Sequence, residues 1–330
     1  MTTLELTYAD ASLLALKQEM ERDHRVWALG EDLGPEGGLA GQYKGLQEIF
    51  GKDRIVDTPI SENMIMACGV GAALAGTRPV VELRFADFGM CAADEIVNQA
   101  AKNRYMFNGQ SRVPCVIRKA IGMRGGTAAQ HSQSTEAWWV HIPGLVVVTP
   151  STPADNFGLL KAAIRCDDPV IYLEHKAFWG VKGPVDPDAP PLPLGKADVV
   201  RQGSDITIVT WAGMRIECGK AADLLAARGV SAEVIDLRTL WPWDRECVMA
   251  SVEKTGRLIV AHEAVKVGGF GGEVAAEVGE ALWAKLKAPV TRLGAPRTPV
   301  PFSLPMEDFC RVTPDQIAEA ATRLMAAKRP

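Results

Sequence analysis

From Met64 to Gly76 the chain reads MIMACGVGAALAG, an apolar run without a single charge. Thr58 with Pro59 behind it, or Ser61 alone, can cap a helix here, because a hydroxyl ahead of the first turn satisfies an orphan backbone N–H and proline costs nothing at that position. Either start leaves Glu62 in the first turn. No face beyond Met64 is polar, so the pattern predicts a helix buried all round. Its glycines cost about 1 kcal/mol each against alanine, which points to a close approach by another backbone. A lone carboxylate at the entrance to so apolar a segment is either a solvated partner of the helix dipole or a buried group with a chemical role.

The rest of the chain alternates strand and helix around this segment. Residues 5–22 predict an amphipathic helix, with Leu13, Leu14, Leu16 and Met20 on its apolar side and a cap near residues 8–10. Residues 25–30 predict a strand ending in Glu31-Asp32, and residues 34–44 (GPEGGLAGQYK) a glycine-rich loop, either a surface connection or a shaper of substrate access. Strands follow at 78–85, 113–121, 145–149 and 169–175, with helices at 87–107 and 154–165 and a second glycine-rich loop from Gly122 to Gln133. Strand, helix, strand at this spacing means a parallel sheet covered by helices.

Composition then changes. Residues 183–194 (GPVDPDAPPLPL) are proline-rich and aperiodic, which makes them a linker. Beyond it the alternation resumes, with strands at 205–211, 232–237, 258–262 and 289–293, helices at 216–228 and 272–287, and a last helix from Pro314 to Lys328. The expected fold is α/β with two doubly wound domains, residues 1–182 and 204–330, joined by residues 183–203.

A chain of 330 residues with 47% hydrophobic and 23% charged residues has the material for two full cores. Its net charge of -4 leaves no electrostatic footprint for nucleic acid or an anionic membrane. No apolar run reaches the ~18 residues that span a bilayer. The opening MTTLE has neither signal-peptide regions nor an arginine-rich transit pattern, so the reading is cytoplasmic and bacterial. The seven cysteines stand singly, at 68, 91, 115, 166, 218, 247 and 310, without a C-x-x-C pair. That spacing argues against structural zinc or a disulfide framework, and reads most of them as small buried hydrophobes.

Several motifs compete for the chemistry. Gly69-Val70-Gly71-Ala72-Ala73-Leu74 imitates a dinucleotide fingerprint, but it lies within a helix and carries leucine where a small residue is needed. Gly268-Gly269-Phe270-Gly271-Gly272 does follow a strand and open a helix, so its amides could hold an anion; a tight packed connection or subunit contact explains it equally well. Neither G-x-S-x-G nor H-E-x-x-H occurs. His262-Glu263 reads as a strand-end pair. His131 lies on a loop past a strand's carboxyl end, where open α/β sheets bind ligands; bracing the loop is its alternative role.

DTPISE at 57–62, QHSQSTEAWWVHIPGLVVVTPSTP at 130–153, DPVIYLEHK at 168–176 and GGFGGEVAAEV at 268–278 together resemble the beta subunits of thiamin-diphosphate-dependent 2-oxo acid dehydrogenases. That family includes the pyruvate, branched-chain 2-oxo acid and acetoin enzymes, and the resemblance runs from about Leu6 to Pro314 in register. It implies a transketolase-like pyrimidine-binding domain, a linker and a transketolase carboxyl-terminal domain. It also implies half a site: in the family, the diphosphate and its Mg2+ sit mainly on an alpha subunit bearing a Gly-Asp-Gly motif, which this sequence lacks.

Carried over by position, the resemblance makes Glu62 the carboxylate that hydrogen-bonds a pyrimidine nitrogen of the cofactor and favours its imino form. An apolar setting suits that role, because desolvation raises a carboxyl group's proton affinity. Phe88 matches the aromatic residue that packs on the pyrimidine, and Ile60 belongs to the same cofactor-binding set. His131 matches a channel histidine that assists proton transfer or guides the lipoyl group. A potassium ion on backbone carbonyls near Val113, Val116, Ala163, Cys166 and Asp168 is a further family feature.

The implied assembly is an α2β2 heterotetramer that serves a lipoyl acyltransferase core, docked through the carboxyl-terminal domain. The implied reaction is oxidative decarboxylation of a 2-oxo acid, pyruvate foremost, with acetoin cleavage as the alternative. Trp241, Trp243 and the loop Met123–Thr127 depart from the family pattern, which bears on substrate or partner choice. Two rivals of other classes are a nicotinamide-dependent dehydrogenase acting alone and a non-catalytic interaction subunit. The misplaced glycine fingerprint weighs against the first, and the joint presence of Glu62, Phe88 and His131 against the second.

Overall fold

The computed structural model describes residues 3–327, so the expected end of the last helix at Lys328 lies outside the described residues. The chain forms two compact units. One comprises residues up to Ile121 together with Trp138–Leu194; the other comprises Gly122–Ala137 together with the chain from Gly195 on.

In the first unit, β1 (Leu4–Thr7) leads into α1 (Tyr8–Arg22), β2 (Val26–Gly30), α2 (Leu46–Phe50), β3 (Ile55–Asp57), α3 (Glu62–Leu74) and β4 (Arg78–Phe85). After β4 come a 3-10 turn at Ala86–Met90, a π-helical turn at Glu95–Ala100 and α4 (Ala101–Met106), then β5 (Val116–Ile121). Beyond a short helix, α5 (Glu136–Val140), follow β6 (Val146–Val148), α6 (Pro153–Arg165), β7 (Val170–His175) and β8 (Lys182–Val185). The central strands run parallel in the order β6-β7-β5-β4-β2-β3. Their residues are buried on both faces, which explains the continuous apolar runs that mark them in the sequence. On one face α1 and α6 enclose a core that includes Leu16, Met20, Phe157, Leu160 and Tyr172.

That same face holds a buried polar network. Arg118, wholly buried on β5, donates to Glu174 Oε2 from Nη2 (2.7 Å) and Nε (3.0 Å) and to Ser12 Oγ (3.1 Å). Asn156 Nδ2 donates to the other oxygen of Glu174 at 2.8 Å, and the Tyr172 hydroxyl donates to Asn156 Oδ1 at 2.8 Å. Tyr43 donates to Glu82 at 3.0 Å, and Glu82 lies 3.9 Å from Arg118. Removing Glu174, the hydrogen-bonded partner of Arg118, would cost about 3–5 kcal/mol, because the buried guanidinium loses its direct counter-ion.

The second unit runs β9 (Asp198–Arg201), β10 (Ile206–Thr210), α7 (Met214–Ala226), β11 (Ala232–Asp236), β12 (Thr239–Trp241), α8 (Arg245–Thr255), β13 (Leu258–Val265), α9 (Gly271–Leu282), β14 (Thr291–Ala295), α10 (Leu304–Cys310) and α11 (Pro314–Ala326). Its five-stranded sheet has the order β14-β13-β10-β11-β9, parallel except for the edge strand β9. Local signals set its helix ends: Asp244 caps α8, Gly256 closes it at φ +73°, and Thr313 with Gln316 forms a reciprocal capping box on α11.

The structure corrects several sequence expectations. Residues 4–7 are not the start of a helix but a strand paired antiparallel with β8, so the predicted linker begins as part of a two-stranded sheet. The predicted helix over 87–107 is broken into a 3-10 turn, a π-helical turn and one short α-helix. The α3 helix is not buried all round. Ile65, Met66, Gly69, Val70 and Ala73 face inward, while Met64 (58% exposed), Cys68 and Leu74 (45%) form an uncovered apolar stripe. Of its glycines only Gly69 meets a close approach, since a Cβ there would stand 2.4 Å from Val81 Cγ2; Gly71 is open. Of the seven cysteines, Cys115, Cys218 and Cys310 are buried, whereas Cys68 and Cys91 are exposed. Among the described residues no helix is long and apolar enough to cross a membrane.

Candidate active site

Glu62 is the first residue of α3, with Ser61 at the cap position although its hydroxyl makes no capping bond. The side chain is half-buried. A helix N-terminus favours a carboxylate, so its placement costs little before any ligand arrives. Close by, Glu31 follows β2 and is 7% exposed. Burial, and then the charge of Glu62, hold the Glu31 carboxyl above its usual range. The two acids therefore share one electrostatic environment.

The connection ahead of α3 is tightly specified. A Cβ on Gly30 would stand 2.7 Å from the Glu82 carbonyl, and the Gly34 amide donates to Asp57 at 2.7 Å. Asp32 and Arg84 both adopt left-handed backbone conformations and form an ion pair with each other. Ile60, just before the helix, is 79% exposed.

Phe88 sits on the 3-10 turn that follows β4. Its ring meets Phe85 edge-on, with centroids 5.6 Å apart and planes at 80°, and it is half-buried. The turn is tight because Gly89 has no room for a side chain: a Cβ would meet Lys119 Nζ at 2.9 Å and Trp139 Cζ2 at 3.2 Å. Lys119 is wholly buried, its Nζ 3.5 Å from the centre of the Trp139 ring and without a hydrogen bond among the described residues. Burial drives its proton affinity well below that of an ordinary lysine.

His131 lies in the second unit, on the loop 122–137. Thr127 braces it, with Oγ1 donating to the His131 carbonyl at 3.2 Å and standing 2.7 Å from Ser132 Oγ. Two buried carboxylates pin the loop by its backbone. Glu263 on β13 accepts from the Met123 amide (2.8 Å) and from Ser134 Oγ (3.2 Å), and Glu307 on α10 accepts from the Gly126 amide at 2.6 Å. Trp211 adds a third tie, its indole donating to Glu136 at 2.9 Å. A Cβ on Gly126 would stand 2.7 Å from the Phe302 carbonyl, so that glycine, at φ +64°, is required twice over.

Sequence reasoning missed these anchors. His262-Glu263 is not a strand-end pair, since β13 runs on to Val265, and Glu307 carries no local pattern that marks it. For Lys119 the only signal was a pair of charged residues, Arg118 and Lys119, in the otherwise apolar strand VIRKAI.

The five carbonyl residues lie where α6 ends and where β5 and β7 begin. The Cys166 carbonyl accepts from Arg78 Nη1 at 3.0 Å, and the Asp168 carboxylate pairs with Arg104. A cation at that carbonyl would share it with a guanidinium. Among the described residues no group of three or more His, Cys, Asp or Glu side chains converges as a metal site.

Each of the two α/β units matches a transketolase domain, which makes the chain transketolase-like. Residues 5–179 match the model of the transketolase pyrimidine-binding domain and residues 195–317 that of the transketolase C-terminal domain. A solved structure titled "Split gene transketolase, inactive beta4 tetramer" has the same fold, with a TM-score of 0.78 at 23% identity, covering 98% of this chain and 99% of that one.

Sequence relatives narrow the class. The 2-oxoisovalerate dehydrogenase subunit beta of Bacillus subtilis is 45% identical over 97% of this chain and 98% of its own. The acetoin:2,6-dichlorophenolindophenol oxidoreductase subunit beta of Cupriavidus necator is 45% identical over 94% and 95%. The mitochondrial pyruvate dehydrogenase E1 component subunit beta-1 of Arabidopsis thaliana is 42% identical over 97% and 89%. The chain belongs to the family of E1 beta subunits of the 2-oxo acid and acetoin dehydrogenases, within the thiamin-diphosphate-dependent transketolase fold.

Proposed function

We propose that this chain supplies the pyrimidine half of a thiamin diphosphate site in a lipoyl-linked 2-oxo acid dehydrogenase, and that Glu62, Ile60, Phe88 and His131 are its working residues. The observation that carries the reading is Glu62 itself, a half-buried carboxylate opening an apolar helix whose outer stripe is uncovered in the single chain. An aminopyrimidine needs a carboxyl group at a ring nitrogen and an apolar or aromatic surface on its face. Glu62, Phe88 and Ile60 supply the kinds of group that demand calls for, a half-buried carboxylate, a half-buried ring and an exposed aliphatic side chain.

Bound thiamin diphosphate supplies the carbanion chemistry that cleaves the bond next to the carbonyl. The work of this chain is to hold a proton at Glu62, to orient the ring on Phe88, and to present His131 for proton transfer or for the lipoyl group. Glu31, buried beside Glu62, has its own carboxyl held above the usual range by burial and then by the charge of Glu62. The diphosphate and Mg2+ would be held by an alpha-type partner in an α2β2 assembly, with a lipoyl acyltransferase core as acyl acceptor.

A 2-oxo acid, pyruvate or a branched-chain acid, is the first substrate reading. Acetoin is the second, since the Cupriavidus subunit is as similar to this chain, at 45% identity, as the Bacillus 2-oxoisovalerate subunit. Calorimetry of thiamin diphosphate with Mg2+, on the chain alone and after co-expression with the adjacent alpha-type gene product, tests the site. Binding in the assembled pair alone is the expected result, and tight binding by the isolated chain would overturn it. A panel of pyruvate, branched-chain 2-oxo acids and acetoin then assigns the substrate.

A further inference from the structure

The second unit has a cleft of about 270 Å³ between the edge strand β14 and helix α11, lined by Lys266, Arg292, Gly294, Gln316, Glu319 and Arg323 among others. Its charges are unbalanced. The single acid on its walls, Glu319, stands 4.0 Å from Arg323. Arg292 Nη1 donates to the Lys266 carbonyl at 3.4 Å, and among the described residues neither Lys266 nor Arg292 has an ion-pair partner. The N-terminus of α9 adds to the excess, because a Cβ on Gly272 would stand 3.5 Å from the Arg292 guanidinium.

A buried neighbour registers this field. His262, wholly buried and stacked on Trp211 with ring centroids 5.2 Å apart, has a pKa lowered to about 4, by burial first and then by the charges of Arg292 and Lys266. Gly294 on the cleft wall abuts the same ring, as do Gly269 and Gly271; a Cβ at any of the three would come within 2.9 Å of it. The glycine-rich turn is thus a packed connection around His262. Its Gly272 and Glu273 amides donate to the Gly269 and Phe270 carbonyls, leaving recognition to the side-chain cations.

Like charges held together without counter-ions cost free energy that a bound anion recovers. We propose that this cleft is a binding site for a small polyanion, carrying a phosphate group or clustered carboxylates, seated between Lys266, Arg292 and Arg323. The volume lies just under the roughly 300–1,000 Å³ of sites for drug-sized ligands. It accommodates a pyrophosphate or a tricarboxylate and leaves no space for a whole dinucleotide.

The test is titration calorimetry of the purified full chain with inorganic pyrophosphate at low salt, with inorganic phosphate and citrate as parallel arms that separate phosphate from carboxylate recognition. Binding that weakens about tenfold in Lys266→Met and again in Arg292→Met, tightens in Glu319→Gln, and weakens with added salt is the expected result. Lys266 is exposed, so its variant retains the fold even if the Arg292 variant does not, and a melting curve checks both. Affinity indifferent to all three substitutions would mean an adventitious ion only. That result overturns the proposal, as does the absence of binding up to about 10 mM, or capture of an acidic peptide without any affinity for the small anions.

Discussion

The Gly126 amide donates to Glu307 Oε2 at 2.6 Å, joining a wholly different helix to the loop that carries His131. Glu307 is 2% exposed, and a charge-assisted bond of this kind contributes about 1.5–3 kcal/mol. Replacing Glu307 with alanine should loosen the loop without touching any reacting group. Arg124, exposed beside Gly126, then becomes a faster site of tryptic cleavage, and turnover falls while thiamin diphosphate affinity holds. Glu307→Gln, which keeps an acceptor oxygen, should restore much of both. Equal cleavage rates in wild type and Glu307→Ala would show that the carboxylate does not restrain the loop.

Lys119 beneath Gly89 leads to a prediction of opposite sign. Its amine is buried without a hydrogen bond among the described residues, which is costly, while its methylene stem fills space under the turn that bears Phe88. Lys119→Met keeps the volume and discards the amine, so it should melt at or above the wild-type temperature. Lys119→Ala opens a cavity under the turn and should cost about 2–5 kcal/mol, with weaker cofactor binding through a loosened Phe88. Differential scanning calorimetry on the two variants decides the point: equal losses would mean that the amine is needed and the packing account is wrong.

The strands were legible because burial on both faces writes itself as continuous apolar runs, as in Val80-Val81 and Val170-Ile171. The helices α6 and α11 were legible as ranges, and the structure shows that threonine caps and N-terminal prolines fix their starts. What escaped was set by distant partners. Residues 5–7, read as the head of the first helix, belong instead to the strand Leu4–Thr7, because Lys182–Val185 offers it a ladder. The π-helical turn at Glu95–Ala100 interrupts a regular four-residue pattern that gave no warning of it. Glu62 and His131 stood out by their positions beside apolar or glycine-rich segments. Glu263 and Glu307 did not, since a carboxylate that accepts from a backbone amide far away in sequence leaves no periodic mark.

Glu82 gives a pH-dependent prediction. Burial pushes its pKa up to about 7, partly opposed by the Arg118 charge and reinforced by that of Glu174. An acid whose folded pKa lies above its unfolded value of about 4.5 binds an extra proton in the native state across that interval. Stability from this group is therefore fully present below the unfolded value and is lost as pH rises through 7. The loss amounts to about 3 kcal/mol at most. Glu82→Gln, which can still accept from Tyr43, should be more stable than wild type at pH 8 and nearly equal at pH 5. Urea unfolding at both values measures the difference, and a pH-independent gap between the two proteins would mean that Glu82 is ionised throughout.

The uncovered stripe on α3 makes a last prediction that bears on assembly. Cys68 is exposed between Met64 and Leu74 on a helix that is apolar from Met64 onward. Apolar surface contributes about 25 cal/mol per Å² when it is removed from water, so a contiguous stripe of this kind is stabilised by a partner and is a solubility burden without one. In the chain alone, Cys68 should react readily with a thiol reagent such as a maleimide. When the chain is co-expressed with the proposed alpha-type partner, Cys68 should be shielded, and its rate should fall by about tenfold or more if the opening that exposes it costs at least 1.4 kcal/mol. Peptide mapping by mass spectrometry separates Cys68 from Cys91, the other exposed thiol. Cys68→Ser would put a hydroxyl on the same stripe and should weaken association while leaving the fold intact. Unchanged Cys68 labelling in an assembled, active complex would place the partner elsewhere, and the shared site at Glu62 would then have to be closed by a different surface.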